Sequence, residues 1–406
     1  MNRRTFLRNV AVLGAAGSLT SRTAQAEEKA PANKPNIIFI LTDDQGWGDT
    51  GYNGHPIIKT PGLDAMAQNG LQFDRFYAAA AMCSPTRATC MTGRNNWRSG
   101  IASWMKSGQG HLPAEEITLP EFLKTKGYVS GHFGKWHLGG FAKERAGRHK
   151  MDPGMAGFDE WFSTYNVMPT FDPYGVTFKT DIDQYWDNGR NITLAEGRKT
   201  PSLRGEDATI VMNKAVEFID KQVKADKPFM AAIWYHHVHM PLRQNPEFAK
   251  LYPGHGTKET TYYANVSALD SEIVRLRKHL RTLGIAENTM LWFASDNGPL
   301  RKDSTKLHTA TVRGQKFVYS GLGSAGAYRG VKGELYEGGI RVPGILEWPA
   351  KIKKHRKTNM PCVTTDYVPT VLDALGIALP KDRIYDGISL MPLTEGKTDK
   401  RTEPIG

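Results

Sequence analysis

The chain has 406 residues, 40% of them hydrophobic, with 53 Lys and Arg against 41 Asp and Glu for a formal charge of +12. That composition excludes a disordered or collagen-like chain and suits one large α/β domain or two ordinary ones. Three cysteines are too few, and odd in number, for a disulfide framework.

The first segment, "MNRRTFLRNVAVLGAAGSLTSRTAQAEE", reads as an export signal. Arg3 and Arg4 form a twin-arginine n-region, "VAVLGAAGSL" a short apolar stretch, and Ala24-Gln25-Ala26 a small-residue cleavage site. Residues 1–26 are therefore expected to direct export through the Tat translocon and then to be cleaved off, placing the protein in the periplasm or outside the cell. Losing Arg3, Arg4, Arg8 and Arg22 lowers +12 to +8, still basic. For an exported protein, that surface points to acidic polysaccharides or sulfated small molecules rather than nucleic acid. No apolar run reaches the roughly eighteen residues of a membrane span.

"NIIFILTDDQGWGDTG" is an apolar run of strand length that breaks into acids and glycines, as a strand buried on both faces does. Thr60 and Pro61 open a short helix that Gly70 stops. "TLPEFLKTKGYVSGHFGKWHLGG" reads as helix, strand and loop. The order repeats downstream, where Val211, Ala215 and Phe218 form a helical stripe before a strand over Phe229 to Tyr235. Val266, Leu269, Ile273, Leu276 and Leu280 mark a further helix leading into "TMLWFASDNG". Such alternation predicts an α/β fold with a doubly wound, mainly parallel sheet flanked by helices. Residues 139–205 and 299–331, rich in Gly, Pro and charge, read as surface loops near the ligand crevice.

Ligands bind at the carboxyl ends of strands in such sheets, and four polar clusters fall there: "DDQGWGD", "GKWH", "HHVHMP" and "SDNG". Asp43 and Asp44 cannot both be buried ionised without a cation, and Asp296 with Asn297 offers further oxygens for a hard divalent ion. An Asp-rich turn is the ordinary alternative. Lys135 and His137 alternate along an extended segment, which would aim both to one side, one to anchor an anion and one to move a proton. His236, His237 and His239 lack a zinc spacing, so a single catalytic His239 with two supporting neighbours is expected. Lys332 sits between Gly330 and Gly333, where an ammonium and backbone approach an anion closely.

"CSPTRATCMTGR" places Cys83 at the start of a helix whose first turn holds Pro85 and whose end is Gly93. A thiol there is expected to be acidified by the helix N-terminus, as a nucleophile or redox group, with Arg87 about one turn on. Cys90 reads as a small buried residue.

The same stretch resembles the signature of the type I, formylglycine-dependent sulfatases, arylsulfatase-like members of the alkaline phosphatase superfamily. "NIIFILTDDQGWGD", "GKWHLG", "HHVHMP", "SDNG" and "KGELYEGGIRVP" resemble the other family motifs in family order across residues 35–395. "GFDEWF", "TDYVPTVLDALGI" and "DGISLMPL" resemble further landmarks. The resemblance implies that Cys83 is oxidised to formylglycine (3-oxoalanine) by a maturation enzyme. It implies that Asp43, Asp44, Asp296 and Asn297, with residue 83, bind Ca2+, or alternatively Mg2+. Lys135, His239 and Lys332 would hold the sulfate of a sulfated carbohydrate or aryl sulfate, and His239 or Lys332 would protonate the leaving alcohol. His137 would take the proton that lets sulfate depart, and Arg87 would hold the formylglycine. A phosphate or phosphonate monoester hydrolase, or an inactive sulfate-binding homologue, would use the same residues. The expected organisation is a catalytic domain over 27–395, then residues 396–406 as the start of a C-terminal region. The family's small antiparallel C-terminal subdomain is expected to be missing or truncated.

Overall fold

Every residue of the first strand, β1 (Asn36–Thr42), is buried, because the strand lies mid-sheet with helices on both faces. In the computed structural model, residues 34–105, 110–141, 150–175, 184–300 and 322–405 are described, with the backbone of 309–312 and 315–318. The twin-arginine segment and its cleavage site lie outside the described residues.

Around β1 run β2 (Leu71–Tyr77), β3 (Val129–Lys135), β4 (Glu160–Thr164), β5 (Trp186–Asp187), β6 (Arg190–Asn191), β7 (Phe229–Trp234) and β8 (Thr289–Ser295). The strands β9 (Thr309–Val312) and β10 (Gln315–Val318) form a separate antiparallel pair. The eleven-stranded main sheet is completed by β11 (Arg341–Glu347), β12 (Arg356–Thr358) and β13 (Cys362–Val363). Its order is β12-β2-β11-β8-β1-β7-β3-β4-β5-β6, with β13 also on β2. The central block β8-β1-β7-β3-β4 is parallel throughout, with Leu41 opposite Trp234 and Thr42 opposite Ser295. Four consecutive strands in the sheet therefore end at nearly the same level.

Alternation along β1 divides the core. Ile37, Phe39 and Leu41 join Ala88, Met91, Phe122, Trp292 and Val368 on one face, whereas Ile38 and Ile40 join Leu63, Val211, Phe218, Leu269 and Ile273 on the other. The helices Cys83–Thr92, Leu119–Lys124 and Tyr367–Ala374 thus cover one side, and Pro61–Asn69, Asp207–Lys224 and Thr257–Thr282 the other. This is the expected α/β architecture. Two details differ from the sequence reading. Antiparallel β11 is inserted between β2 and β8, and part of 139–205 extends the sheet as β4, β5 and β6. Strands of two residues carry too few side chains to show a period, so their pairing was not readable from the pattern.

The last described segment is tied to the body. Arg401 donates to both carboxylate oxygens of Asp366 at 2.7 and 3.0 Å. Among the described residues, no helix is long and apolar enough to cross a membrane.

Candidate active site

The cleft forms where β8, β1, β7 and β3 end. Asp43, Asp44 and Gln45 follow β1, Lys135 ends β3 with His137 just beyond, the His236–His239 segment follows β7, and Asp296 and Asn297 follow β8. The clusters expected at the carboxyl ends are therefore neighbours in space. Backbone bonds lock the ends together: Asp43 N–H donates to His237 O, Val238 N–H to Asp43 O, and Asp296 N–H to Thr42 O, at 2.7, 2.7 and 3.0 Å. Asp44 adopts φ 60°, a left-handed turn that ends the strand's alternation and lets both acids serve one cleft. His137 is also left-handed, at φ 54°, so the extended alternation that was to align it with Lys135 does not hold. It is buried beside the site through a different contact.

The acids and cations interlock. Lys135 Nζ reaches Asp43 Oδ2 at 2.5 Å, and Lys332 Nζ reaches Asp44 Oδ1 at 2.5 Å. Arg87 is wholly buried and donates to Asp296 Oδ2 from Nε and Nη2 at 3.0 and 2.8 Å, to the Lys135 carbonyl at 2.7 Å, and to Asp43 at 3.4 Å. Its guanidinium is thus committed to the acids and to the end of β3. Three carboxylates face three fixed cations, so an added divalent ion leaves the cleft net positive for an anionic substrate.

Within that cluster, three buried oxygens have no hydrogen-bond partner: Asp43 Oδ1, Asp44 Oδ2 and Asn297 Oδ1. Leaving such atoms unpaired is costly, and two carboxylates and one amide carbonyl are the donor set of a hard divalent cation. Donor atoms of Asp43, Cys83 and Asp296 lie within 4.8 Å of one another, as do those of Asp43, Asp44 and His239. The residues fit the expected ion. The charges bear the same mark. Burial and the nearby Asp43 push Asp296 up to about 7, while Asp43, despite burial, is held well below the usual carboxylate range by Lys135, His239, Arg87 and Lys332.

Cys83 is the first residue of its helix, 2% exposed, with Met82 in the capping position. Here the sequence expectation needs correction. Burial raises the thiol above its ordinary range, and Lys135 and Lys332 only partly offset this. Desolvation outweighs the two lysines, so the unmodified thiol lies above, not below, its ordinary range.

Two imidazoles are oriented by carbonyls that can only accept. His137 Nε2–H donates to Met105 O at 3.0 Å, leaving the buried Nδ1 unpartnered and free to take a proton. Burial, then Lys135 and Arg87, holds His137 well below its usual pKa, so it is neutral. His239 Nδ1–H donates to Met240 O at 2.6 Å, turning Nε2 toward Asp44 Oδ2 at 3.6 Å. Burial lowers His239 to about 4, partly opposed by Asp44. Lys332 differs. Burial works against its charge, but Asp44, Cys83, Asp43 and Asp296 prevail and hold the ammonium well above its ordinary value. Of the two candidate proton donors, the charged one is Lys332.

Sequence reasoning missed several contributors. Gln45 is buried with both amide atoms unpartnered and its N–H on Ser295 Oγ at 3.0 Å; its place directly after the acid pair was the available signal. Asp49 accepts from Gly46 N, Tyr262 OH and Ser324 N at 2.7, 2.7 and 2.8 Å, joining the first acidic loop to the loop that leads to Lys332. The Met105 carbonyl carries no signal in sequence at all.

A doubly wound sheet whose strand ends carry a buried cleft of acids, an amide and lysines beside a helix-start cysteine defines an α/β protein with a site suited to a cation and an anionic group. Comparison narrows it. The family model described as Sulfatase matches residues 35–377. The chain is 34% identical over 382 residues to N-acetylgalactosamine-6-sulfatase of Canis lupus familiaris, a match covering 89% of this chain and 66% of that protein. It is 32% identical over 391 residues to arylsulfatase G of Mus musculus, covering 91% and 70%. Among solved structures it is similar to Ps i-CgsB in complex with k-i-k-neocarrahexaose, with TM-score 0.75, 27% identity and coverage of 92% and 79%. The chain belongs to the sulfatase family, within the alkaline phosphatase superfamily.

Proposed function

We propose that this protein is an exported hydrolase of sulfate monoesters, acting on a sulfated carbohydrate, with residue 83 as a formylglycine derived from Cys83. The observation that carries the reading is the set of three unpartnered buried oxygens, Asp43 Oδ1, Asp44 Oδ2 and Asn297 Oδ1, grouped beside Cys83 and two ammonium groups. Support for a carbohydrate comes from relatives named for N-acetylgalactosamine sulfate and from the neocarrahexaose complex.

Asp43, Asp44, Asp296 and Asn297 would hold Ca2+, or Mg2+, whose Lewis acidity draws charge from the sulfate oxygens. Formylglycine at position 83, once hydrated, would supply a geminal diol with one hydroxyl as the nucleophile for sulfur and a second whose proton can be removed. Lys135 and Lys332 exchange part of their contact with Asp43 and Asp44 for the sulfate oxygens and neutralise the charge that builds there. His239 offers Nε2, fixed by the Met240 carbonyl, toward the same group. Lys332, the charged donor, protonates the departing alcohol. His137 Nδ1 accepts the proton of the second hydroxyl, its tautomer set by Met105 O. Arg87 holds Asp43 and Asp296 in place against their mutual repulsion. Maturation would need a formylglycine-generating enzyme, and delivery the Tat translocon.

The test is turnover of one aryl alcohol esterified as sulfate and as phosphate, by protein matured at Cys83, with and without EDTA. Faster sulfate release, lost in EDTA and restored by calcium, is expected. Faster phosphate release would favour the phosphate or phosphonate hydrolase, and no release an inactive sulfate-binding protein.

A further inference from the structure

Behind the His236–His239 segment lies a second buried polar cluster that the chemistry above does not use. His236 Nδ1–H donates to Asp207 Oδ2 at 2.8 Å, and its Nε2 hydrogen-bonds Thr164 Oγ1 at 2.7 Å at the end of β4. Tyr185 OH donates to the other oxygen of Asp207. His237 Nε2–H donates to Glu206 Oε1 at 2.7 Å, and Asn245 Nδ2 donates to Glu206 Oε2 at 2.6 Å. All seven side chains are buried. Glu206 and Asp207 open the helix Asp207–Lys224, yet Glu206 makes no side-chain cap there. Its carboxylate is spent on His237 and Asn245 instead.

That commitment reaches the site through the backbone. His237 O accepts from Asp43 N–H and Val238 N–H donates to Asp43 O, both at 2.7 Å, and two residues on stands His239. The imidazoles of His236 and His237 are thus gripped from behind by two carboxylates, while the same segment's main chain grips Asp43 in front. No regular secondary structure spans 235–240, so side-chain anchors replace a helix or strand as the source of rigidity. We propose that Glu206 and Asp207 are positioning residues, which fix Asp43 and His239 as one body and so set both cation affinity and sulfate binding. This rests on the assignment of Asp43 and His239 made above.

The experiment compares full-length E206A, D207A and D207N with the parent by calcium titration, followed through thermal shift, and by KM and kcat for an aryl sulfate. Urea unfolding in EDTA measures stability separately. E206A and D207A are expected to weaken calcium binding by about 10-fold or more and to raise KM. D207N keeps an oxygen acceptor for His236 Nδ1–H and is expected to fall closer to the parent. Should D207A fail to fold, E206A carries the test, because the Glu206 side chain makes no cap and the substitution leaves its backbone bond from Ile210 N–H in place. Variants that lose stability but keep the parent's calcium affinity and KM would overturn the proposal and leave the functional reading standing. A parent that neither binds calcium nor turns over the ester would overturn both.

Discussion

Arg87→Met removes the guanidinium that separates two buried acids and leaves a side chain of similar reach. Arg87 is 0% exposed and donates three bonds of 2.7–3.0 Å, two of them to Asp296, with Asp43 at 3.4 Å and the Trp234 ring 5.2 Å away. Methionine keeps the contact with Trp234 but leaves Asp296, Asp43 and the Lys135 carbonyl short of a donor. Breaking a buried pair on one side costs about 3–5 kcal/mol. That is a large share of the roughly 5–15 kcal/mol by which a domain is stable. With a urea slope of about 3 kcal/mol/M, the midpoint in EDTA should fall by roughly 1–1.7 M. Calcium should then stabilise the variant by more than it stabilises the parent, because the ion meets the same acids with one fewer competing cation. Urea titrations of both proteins, in EDTA and in calcium, measure the two effects. An unchanged midpoint in EDTA, or a calcium increment no larger than the parent's, would mean that Arg87 does not offset the charge of Asp43 and Asp296.

Lys332→Ala removes the ammonium that lies 2.5 Å from buried Asp44, so kcat/KM for a sulfate ester should drop by about 10²-fold or more, and the urea midpoint in EDTA should fall as well, because Asp44 loses its partner. Gly298→Ala puts a Cβ 1.9 Å from the Gly338 carbonyl oxygen, against rigid backbone. It should cost about 1–3 kcal/mol and shift Asn297, read as a lower urea midpoint and weaker calcium binding. Asp270 accepts from Gly62 and Leu63 N–H at 2.7 Å each and so caps the helix Pro61–Asn69 from a neighbouring helix. Asp270→Ala should lose about 1–2 kcal/mol. Burial raises Asp270 from 3.8 to about 7, so its contribution is complete below pH 3.8 and declines as pH rises through 7. Asp270→Asn should accordingly show a flatter stability profile between pH 4 and pH 8 than the parent.

The site was legible because its residues obey a topological rule. Each polar cluster directly follows an apolar run, and parallel neighbours bring such ends together. What lay beyond reach depended on partners distant in sequence. Glu206 and Asp207 look like an ordinary helix start, and only the fold sets them against His237 and His236. The acidity assigned to Cys83 failed for a related reason. A helix N-terminus is visible in the sequence, whereas the depth of burial that raises the thiol is not. The antiparallel β11 carries the same lesson, since "RVPGILE" gives no direction until β2 and β8 flank it.

If residue 83 works as an aldehyde rather than a thiol, activity must follow the extent of its conversion. Preparations with different extents of Cys83 conversion, quantified by peptide mass, are assayed for sulfate release from a sulfated saccharide. Activity proportional to the converted fraction, extrapolating to zero at no conversion, is the predicted result. Equal activity from protein that still carries the Cys83 thiol would contradict it.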